Sequence, residues 1–319
     1  MPDSDSFSVA VVIPAHNASD FIADAIDSVR AQALPAAENI VVDDGSTDDT
    51  ADVALGFGTS IKLLRQKKSG VSRARNAGAA TSSAKWFLFL DADDRLLPNA
   101  LKLLAQRAES GEFGVVYGQT IYFQEHGSAR RLHGLASREG APPAAAHASF
   151  WKSAIATPGA ALIRADLFAR VGGFVPEFFM AEDRDLWMKA GMLAEFGFVS
   201  EPVVEKREHA GNVSHQRDEA IKQAAIVQLS FFDWCRARNL DTSFLKATPG
   251  DVIDNAVRKT VSVRSVTGLK GVLALAQERK IETPLVARFS QFRGLSPRAA
   301  ALRLFVYATW RRVTSIGKK

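Results

Sequence analysis

The sequence predicts an α/β fold with a mostly parallel central sheet followed by an α-helical extension, and three observations carry that reading. Apolar strand-like runs alternate with helical patterns four times between Ser8 and Ala108, the order that builds a parallel sheet with right-handed crossovers. The run from Trp86 to Leu90 is apolar without interruption, as expected of a strand covered on both faces. Beyond about Asp218 only helical patterns remain. Residues 1–217 are therefore expected to form the sheet-containing domain and residues 218–319 the helical extension, with the boundary between Ser214 and Asp218.

Taken in order, Ser8 to Pro14 reads as a buried strand. Ser19 is placed to cap a helix whose apolar residues Phe21, Ile22, Ala25, Ile26 and Val29 recur at helical spacing. Asn39 to Asp43 and Ile61 to Leu64 read as further strands, followed by helices over Asp48 to Leu55 and Ser72 to Ala80. Trp86 to Leu90 and Pro98 to Ala108 make the fourth unit. The middle is less regular: Val115 to Phe123 reads as a strand pair, Arg138 to His147 as a Pro/Ala-rich loop, Ala160 to Arg164 as a strand, Glu182 to Ala190 as a helix and Val203 to Arg207 as a returning strand. Helices are expected at Asp218 to Asn239, Asp251 to Val266, Leu269 to Lys280 and Pro297 to Ile316.

Composition bounds the function. With 319 residues, 47% of them hydrophobic, the chain can build one large core and a smaller second unit. The single cysteine, Cys235, excludes an internal disulfide, and no Cys/His spacing suits a thiolate zinc site. The polar, acidic start MPDSDSFS argues against a signal peptide, and no apolar run reaches the ~18 residues of a membrane span. A cytoplasmic location is expected. Of the net charge of +5, eight Lys or Arg residues and no acid lie from Thr283 onward, so five minus eight leaves −3 for the rest. In a helix over Pro297 to Ile316, Leu302, Phe305, Val306, Trp310, Val313 and Ile316 share an apolar stripe. Such a basic amphipathic helix either packs on its own domain or makes peripheral contact with an anionic membrane. A nucleic-acid partner is not expected, because no stacking-aromatic or zinc pattern accompanies the basic tail.

The chemistry concentrates at strand ends. Pro14 to Asn17 follow the first strand, Asp43 and Asp44 the second, and Asp91, Asp93 and Asp94 the fourth. In a parallel sheet these carboxyl ends lie side by side, where ligands bind. Five acids and an amide in one cleft repel one another unless cations or donors compensate, and a divalent metal is a natural compensator. The plainer alternative for KWFLFLDADDRLL is a solvated turn leading into a helix, with Asp94 near its start and Pro98 in its first turn.

Together the ordered motifs VVIPAHN, VVDDGSTDDT, GVSRARNAG, FLDADD, GGF and EDRDLW resemble family-2 glycosyltransferases of the GT-A fold, over about Val9 to Ser214. The resemblance implies an inverting, hexosyltransferase-type enzyme that moves a sugar from a nucleotide diphosphate to a hydroxyl of a glycan, lipid-linked or other acceptor, as in polysaccharide biosynthesis. Uridine is the family's most frequent nucleoside; guanosine and thymidine stay open. Carried over residue by residue, it implies that Pro14 and Asp44 border the nucleobase and ribose. Ala15, Asn17, Asp43, Arg75 and Ala92 complete the nucleotide-sugar site. Asp91 and Asp93 form the DxD pair around the ribose, the diphosphate and a Mn2+ or Mg2+ ion, and Asp183 is the base.

Asp93 is the first choice as direct metal ligand, with Asp91, Asp94 and, through a neutral imidazole, His209 as the other candidates. Each assignment has a structural counterpart. DDGSTD is also a good turn, with Gly45 tolerant of positive φ and Thr47 or Asp48 able to cap. Arg75 can pair with a cleft acid, Asn76 and Gly78 can serve loop geometry only, and Glu182 to Asp185 can be the acidic first turn of a surface helix, with Asp185 a cap or a partner of Arg184. His16 stands where the family commonly has tyrosine. Two rivals remain: a dinucleotide-dependent oxidoreductase, which lacks its G-x-G-x-x-G after the first strand because PAHNAS stands there, and a catalytically degenerate sugar-nucleotide-binding or scaffolding subunit.

Overall fold

The computed structural model describes residues 7–124, 127–133, 155, 157–208, 217–292, 294–296, 298–301 and 303–304. The chain divides into two compact units, Met1–Asn212 and Val213–Lys319. His209, the Arg138 to His147 loop and most of the expected Pro297 to Ile316 helix lie outside the described residues.

The first unit carries one mixed sheet. Its described strands are β1 (Val9–Ala15), β2 (Glu38–Asp44), β3 (Lys62–Gln66), β4 (Trp86–Phe89), β5 (Arg95–Leu96), β6 (Phe113–Gln124), β7 (Gly127–His133), β8 (Ala161–Arg164) and β9 (Glu195–Arg207). Their order is β3-β2-β1-β4-β8-β6-β9-β5, with β7 pairing β6 outside that path. Strands β3, β2, β1 and β4 are mutually parallel, as the strand–helix alternation predicts. From β8 onward the sheet is mixed: β8 runs antiparallel to both β4 and β6, while β6 and β9 pair parallel.

β1 is buried along its whole length, which is why its seven residues contain no charge. Helices α1 (Ile22–Arg30), α2 (Thr50–Leu55) and α3 (Val71–Ala80) are the crossovers between the strands of this half, and α4 (Ala100–Glu109) leads from β5 to β6. Ile22, Ala25, Ile26 and Val29 form the buried stripe of α1. Ser19 does not cap that helix; its N–H donates to Asp48 Oδ2 at 3.1 Å, and the Ala18 carbonyl takes the first bonds, from Phe21 and Ile22. α3 lies so close to the sheet that a Cβ on Gly78 would overlap Val12 and press on Val42 at 3.1 Å.

Two strands differ from expectation. Val115 to Phe123 belongs to one strand of twelve residues rather than a pair, because the chain does not turn at Gly118. There a Cβ would meet Val203 on β9 at 2.7 Å, and register shifts at Tyr117, Gln119 and Thr120 absorb the irregularity. The returning strand is likewise longer than Val203 to Arg207 and runs through Pro202. Helix α5 (Ala165–Val171), ended by a left-handed Gly172, was not anticipated. It precedes α6 (Glu182–Leu193).

The second unit is helical among the described residues: α7 (Arg217–Arg236), α8 (Pro249–Ser262), α9 (Val266–Glu278) and α10 (Pro284–Phe289). Thr248 and Asp251 form a capping box with Pro249 at the first helical position of α8, and Ser265 and Thr283 cap α9 and α10. Phe231, Cys235, Ile253, Val257, Leu269, Leu273 and Phe289 are buried in this unit.

Replacing Gly78 by alanine forces α3 away from β1 and β2 and is expected to cost about 1–3 kcal/mol. A urea titration reads this as a lower midpoint at unchanged slope; an unaltered midpoint contradicts the close approach.

Candidate active site

The carboxyl ends of β1, β2 and β4 share one edge. Ala15 lies beside Asp43 in the β1–β2 register and Val12 beside Phe89 in the β1–β4 register, so Pro14 and Ala15, Asp43 and Asp44, and Asp91 to Asp94 emerge together. Neighbouring strands are about 4.8 Å apart. Loop contacts tighten the edge: Asn17, in a left-handed conformation at φ 50°, accepts from Thr47 N–H at 2.9 Å, and its own N–H donates to Ser46 Oγ at 3.0 Å. Asp43 Oδ1 accepts from Ser46 N–H at 3.0 Å. Gly45 has φ 70°, and any Cβ there would lie 2.6 Å from Lys68 N.

Asp44 is 4% exposed and serves as a clamp. Its Oδ1 accepts from Gln66 Nε2 at 2.7 Å and Ser69 N–H at 2.8 Å, and its Oδ2 from Gly70 N–H at 2.8 Å, just before α3 begins. A carboxylate offers about four acceptor sites. One therefore remains, on Oδ2, for a ligand donor.

Arg75, expected in the nucleotide-sugar site or paired with a cleft acid, makes acid pairs in this structure. Its guanidinium, 3% exposed, donates to Asp91 Oδ1 at 2.6 Å and Glu182 Oε1 at 2.7 Å. It also lies over the Phe174 ring at 4.9 Å. Two of its five N–H groups thus go to acids, which joins the end of β4 to the start of α6, while its buried Nε has no hydrogen-bond partner. Asn76 fixes the same region from the next position, donating to the Phe174 carbonyl at 2.7 Å and accepting from its N–H at 3.0 Å. Ser72 Oγ donates to the Phe178 carbonyl at 3.2 Å. GVSRARNAG therefore works largely as a latch between α3 and the GGF segment.

Asp91, Asp93 and Asp94 each bring one carboxylate oxygen within 4.8 Å of the others. That spread fits a hard divalent ion, whose opposed ligands at about 2.1–2.4 Å stand roughly 4–5 Å apart. The three are not equivalent. Asp94, 1% exposed, accepts from Arg207 N–H at 3.0 Å on Oδ1 and from Thr157 Oγ1 at 3.1 Å on Oδ2, so both its oxygens bind protein. Burial first, then the charges of Asp91 and Asp93, push its carboxyl well above the usual range. Burial would also raise Asp91, but Arg75 and Lys206 beside it hold it below its ordinary value. Asp91 is bound as well, its Oδ1 by Arg75 at 2.6 Å and its Oδ2 by Thr157 Oγ1 at 3.4 Å. Nor does Asp94 start a helix: β5 intervenes and α4 begins only at Ala100.

Asp183 enters from α6, whose residues Asp185 to Gly191 are all buried, so this is no surface helix. The preceding Ala181 is held at φ 61°, ψ 23°. A left-handed alanine of this kind stores strain of order 1–3 kcal/mol, as functional sites often do. Desolvation, then the neighbouring Glu182, raises the Asp183 carboxyl to about 6. Asp185 pairs with Lys189 at 2.6 Å, one turn on, rather than with Arg184.

Lys206 was missed by sequence reasoning. Burial lowers its ammonium's affinity for a proton, but Asp94, Asp91 and Asp183 around it outweigh that and raise its pKa. The Arg75–Glu182 pair ties Asp91 to the residue beside Asp183. The signal for Lys206 and Thr157 was only the long-range register of β8 and β9, which local patterning does not contain.

Residues 10–172 match the family described as Glycosyl transferase family 2. The chain belongs to that family. The family-2 match covers Asp44, Arg75 and the Asp91–Asp94 turn, while Glu182, Asp183 and Lys206 lie beyond it. Similar curated proteins include an uncharacterized glycosyltransferase of Rickettsia prowazekii, 27% identical over 65% of this chain and 66% of its own length. Another is glycosyltransferase GlyG of Streptococcus pneumoniae, 27% identical over 51% of this chain and 58% of that protein. The chain spans between 32% and 66% of the length of the first curated relatives it matches. Among solved structures, S. aureus TarS 1–349 superposes with a TM-score of 0.63 at 17% identity, covering 90% of this chain and 88% of that one. That likeness establishes the GT-A fold.

Replacing Asp183 by asparagine is expected to stabilise the metal-free protein at neutral pH. The native carboxyl sits near 6 against 3.8 for an ordinary aspartate, so native stability falls as pH rises from about 4 through 6. The variant escapes that loss, worth at most about 3 kcal/mol. Thermal melts in chelator across pH 4 to 8 check it: the two curves should diverge upward in pH, and parallel curves contradict the shift.

Proposed function

We propose that this family-2 protein is an inverting glycosyltransferase that moves a sugar from a nucleotide diphosphate, uridine-linked by preference, to a hydroxyl of a glycan or lipid-linked acceptor, with Asp183 as base. The observation that carries the reading is the linkage of the Asp91–Asp94 turn to the Asp183 helix start through Arg75 and Glu182. Support from the fold comes from TarS, whose structures include complexes with UDP and with UDP-GlcNAc.

In this mechanism Pro14, Ala15, Asn17, Asp43 and the remaining acceptor site of Asp44 receive the nucleoside at the β1–β2 end of the edge. Asp91 and Asp93, with Ala92 between them, border the ribose and diphosphate. A divalent cation such as Mn2+ or Mg2+, held by Asp93 and Asp91, supplies Lewis-acid stabilisation of the departing diphosphate. Asp183 accepts the proton of the acceptor hydroxyl as that oxygen bonds to the anomeric carbon. Its raised value near 6 keeps it ionised at neutral pH yet more basic than an exposed carboxylate. The bond to the diphosphate breaks with its electron pair leaving on the phosphate oxygen, and attack by the hydroxyl from the opposite face gives inversion. Arg75 touches no substrate; it positions Asp91 and Glu182.

A panel of sugar nucleotides, assayed for transfer and hydrolysis with and without Mn2+, tests the reading. Asp183→Asn should lower turnover by about 10²- to 10⁴-fold while donor binding persists, and Asp93→Ala should abolish chelator-sensitive nucleotide binding in calorimetry. A wild-type protein that binds no nucleotide, or binds it regardless of chelator and of Asp93→Ala, favours a non-catalytic subunit instead.

A further inference from the structure

One residue outside the acid turn holds two of its three acids. Asp91 to Asp94 form a tight turn, closed by the Asp94 N–H, which donates to the Asp91 carbonyl at 3.0 Å. Arg207, the last residue of β9, bonds this turn twice. Its backbone N–H donates to Asp94 Oδ1 at 3.0 Å, and its side-chain Nε donates to the Asp93 carbonyl at 3.0 Å. Its NH2 group donates to Asp24 Oδ2 on α1 at 2.9 Å, and the guanidinium lies over the Phe21 ring at 4.9 Å and the Phe123 ring at 5.0 Å. Only 2% of the side chain is exposed. β9 is in turn fixed to the chain that leaves the turn, by its pairing with β5 and by the Leu97 N–H, which donates to the Val203 carbonyl at 2.9 Å. The proposed chemistry gives this buried guanidinium no part.

We infer that Arg207 is a positioning residue for the divalent cation: by holding the Asp93 carbonyl and the Asp94 carboxylate it sets the spacing of the Asp91, Asp93 and Asp94 carboxylates, and with it the cation that the turn prefers. The inference rests on the glycosyl-transfer reading, of which the cation is a part, and adds the residue that tunes the cation's site. Fixing the peptide that follows Asp93 fixes the direction in which its side chain leaves the backbone. The three acids bring carboxylate oxygens within 4.8 Å of one another. Mg2+ demands near-ideal octahedral ligands at about 2.0–2.1 Å, whereas Ca2+ accepts irregular shells at about 2.3–2.6 Å. A turn held to one shape therefore favours the smaller ion, and a slack turn loses that preference. The task suits arginine, whose planar fork donates in two directions while its face rests on aromatic rings; a lysine keeps the charge but not the geometry. Asp24 is the outer anchor of the fork and is 51% exposed on α1.

Calorimetry on the full chain tests this with Mg2+ and Ca2+, each titrated in the presence of whichever of UDP, GDP and dTDP the wild type binds, for the wild type, Arg207→Lys and Asp24→Asn. The expected result is that Arg207→Lys weakens Mg2+ by about tenfold or more, the usual cost of losing the outer partner of a metal ligand, and weakens Ca2+ less, so that the ratio of Mg2+ to Ca2+ affinity falls. A general loosening of the fold would weaken both cations alike. A ratio that holds steady or rises overturns the inference while leaving glycosyl transfer standing. A wild type that binds none of these nucleotides, or binds them regardless of cation, overturns both. Circular-dichroism melts identify a variant that fails to fold. Should Arg207→Lys be one, Asp24→Asn decides by the same ratio: a fall upholds the inference, and a ratio that holds or rises overturns it.

Discussion

One buried guanidinium holds the candidate site together. Arg75 reaches Asp91 at the end of β4 with one nitrogen and Glu182 at the start of α6 with the other, at 2.6 and 2.7 Å. The two acids are 91 residues apart in sequence by their numbers, 182 less 91. Breaking a buried pair by removing one partner typically costs about 3–5 kcal/mol, because the orphaned charge stays out of water. The planar fork also fixes direction, which a lysine cannot do. Where Asp183 sits relative to the acid turn therefore follows from where Arg75 sits on α3, and α3 is set by Gly78 against Val12 and by Asp44 at its first turn.

The electrostatics follow from that arrangement. Asp91 is lowered despite its burial because Arg75 and Lys206 flank it, whereas burial and like charges raise Asp94. Asp94, with its oxygens bound to Arg207 and Thr157, braces the turn. The left-handed Ala181 beside Asp183 is a second sign of a region shaped against local preference.

The half of the fold built from local units was legible in the sequence. An unbroken apolar β1, the striped α1 and the repeated strand–helix order give β3-β2-β1-β4 directly, and the acids at their ends follow because parallel strands end on one side. Helices α8 and α9 were expected from Asp251 and Leu269, whereas their caps Thr248 and Ser265, and α10 with its cap Thr283, were not read. Reading failed where pairing is long-range. Val115 to Phe123 was read as a strand pair, but β6 is one strand whose Gly118 makes room for Val203; the returning strand was read only from Val203, yet β9 starts at Glu195 and runs through Pro202. Lys206 and Thr157 have no local signature, as only the placement of β9 and β8 brings them to the acid turn. The pairing of Arg75 with a cleft acid was legible as one of its two readings, whereas its bond to Glu182 depends on the long-range placement of α6.

The coupling between Arg75 and Glu182 is the most direct measure of this account. A double-mutant cycle with Arg75→Met, Glu182→Gln and the pair, followed by urea denaturation, should give an interaction free energy of about 1–3 kcal/mol, with the double variant less impaired than the two single losses sum to. Additive losses, with an interaction near zero, would mean that the fork does not tie the acid turn to the helix bearing Asp183.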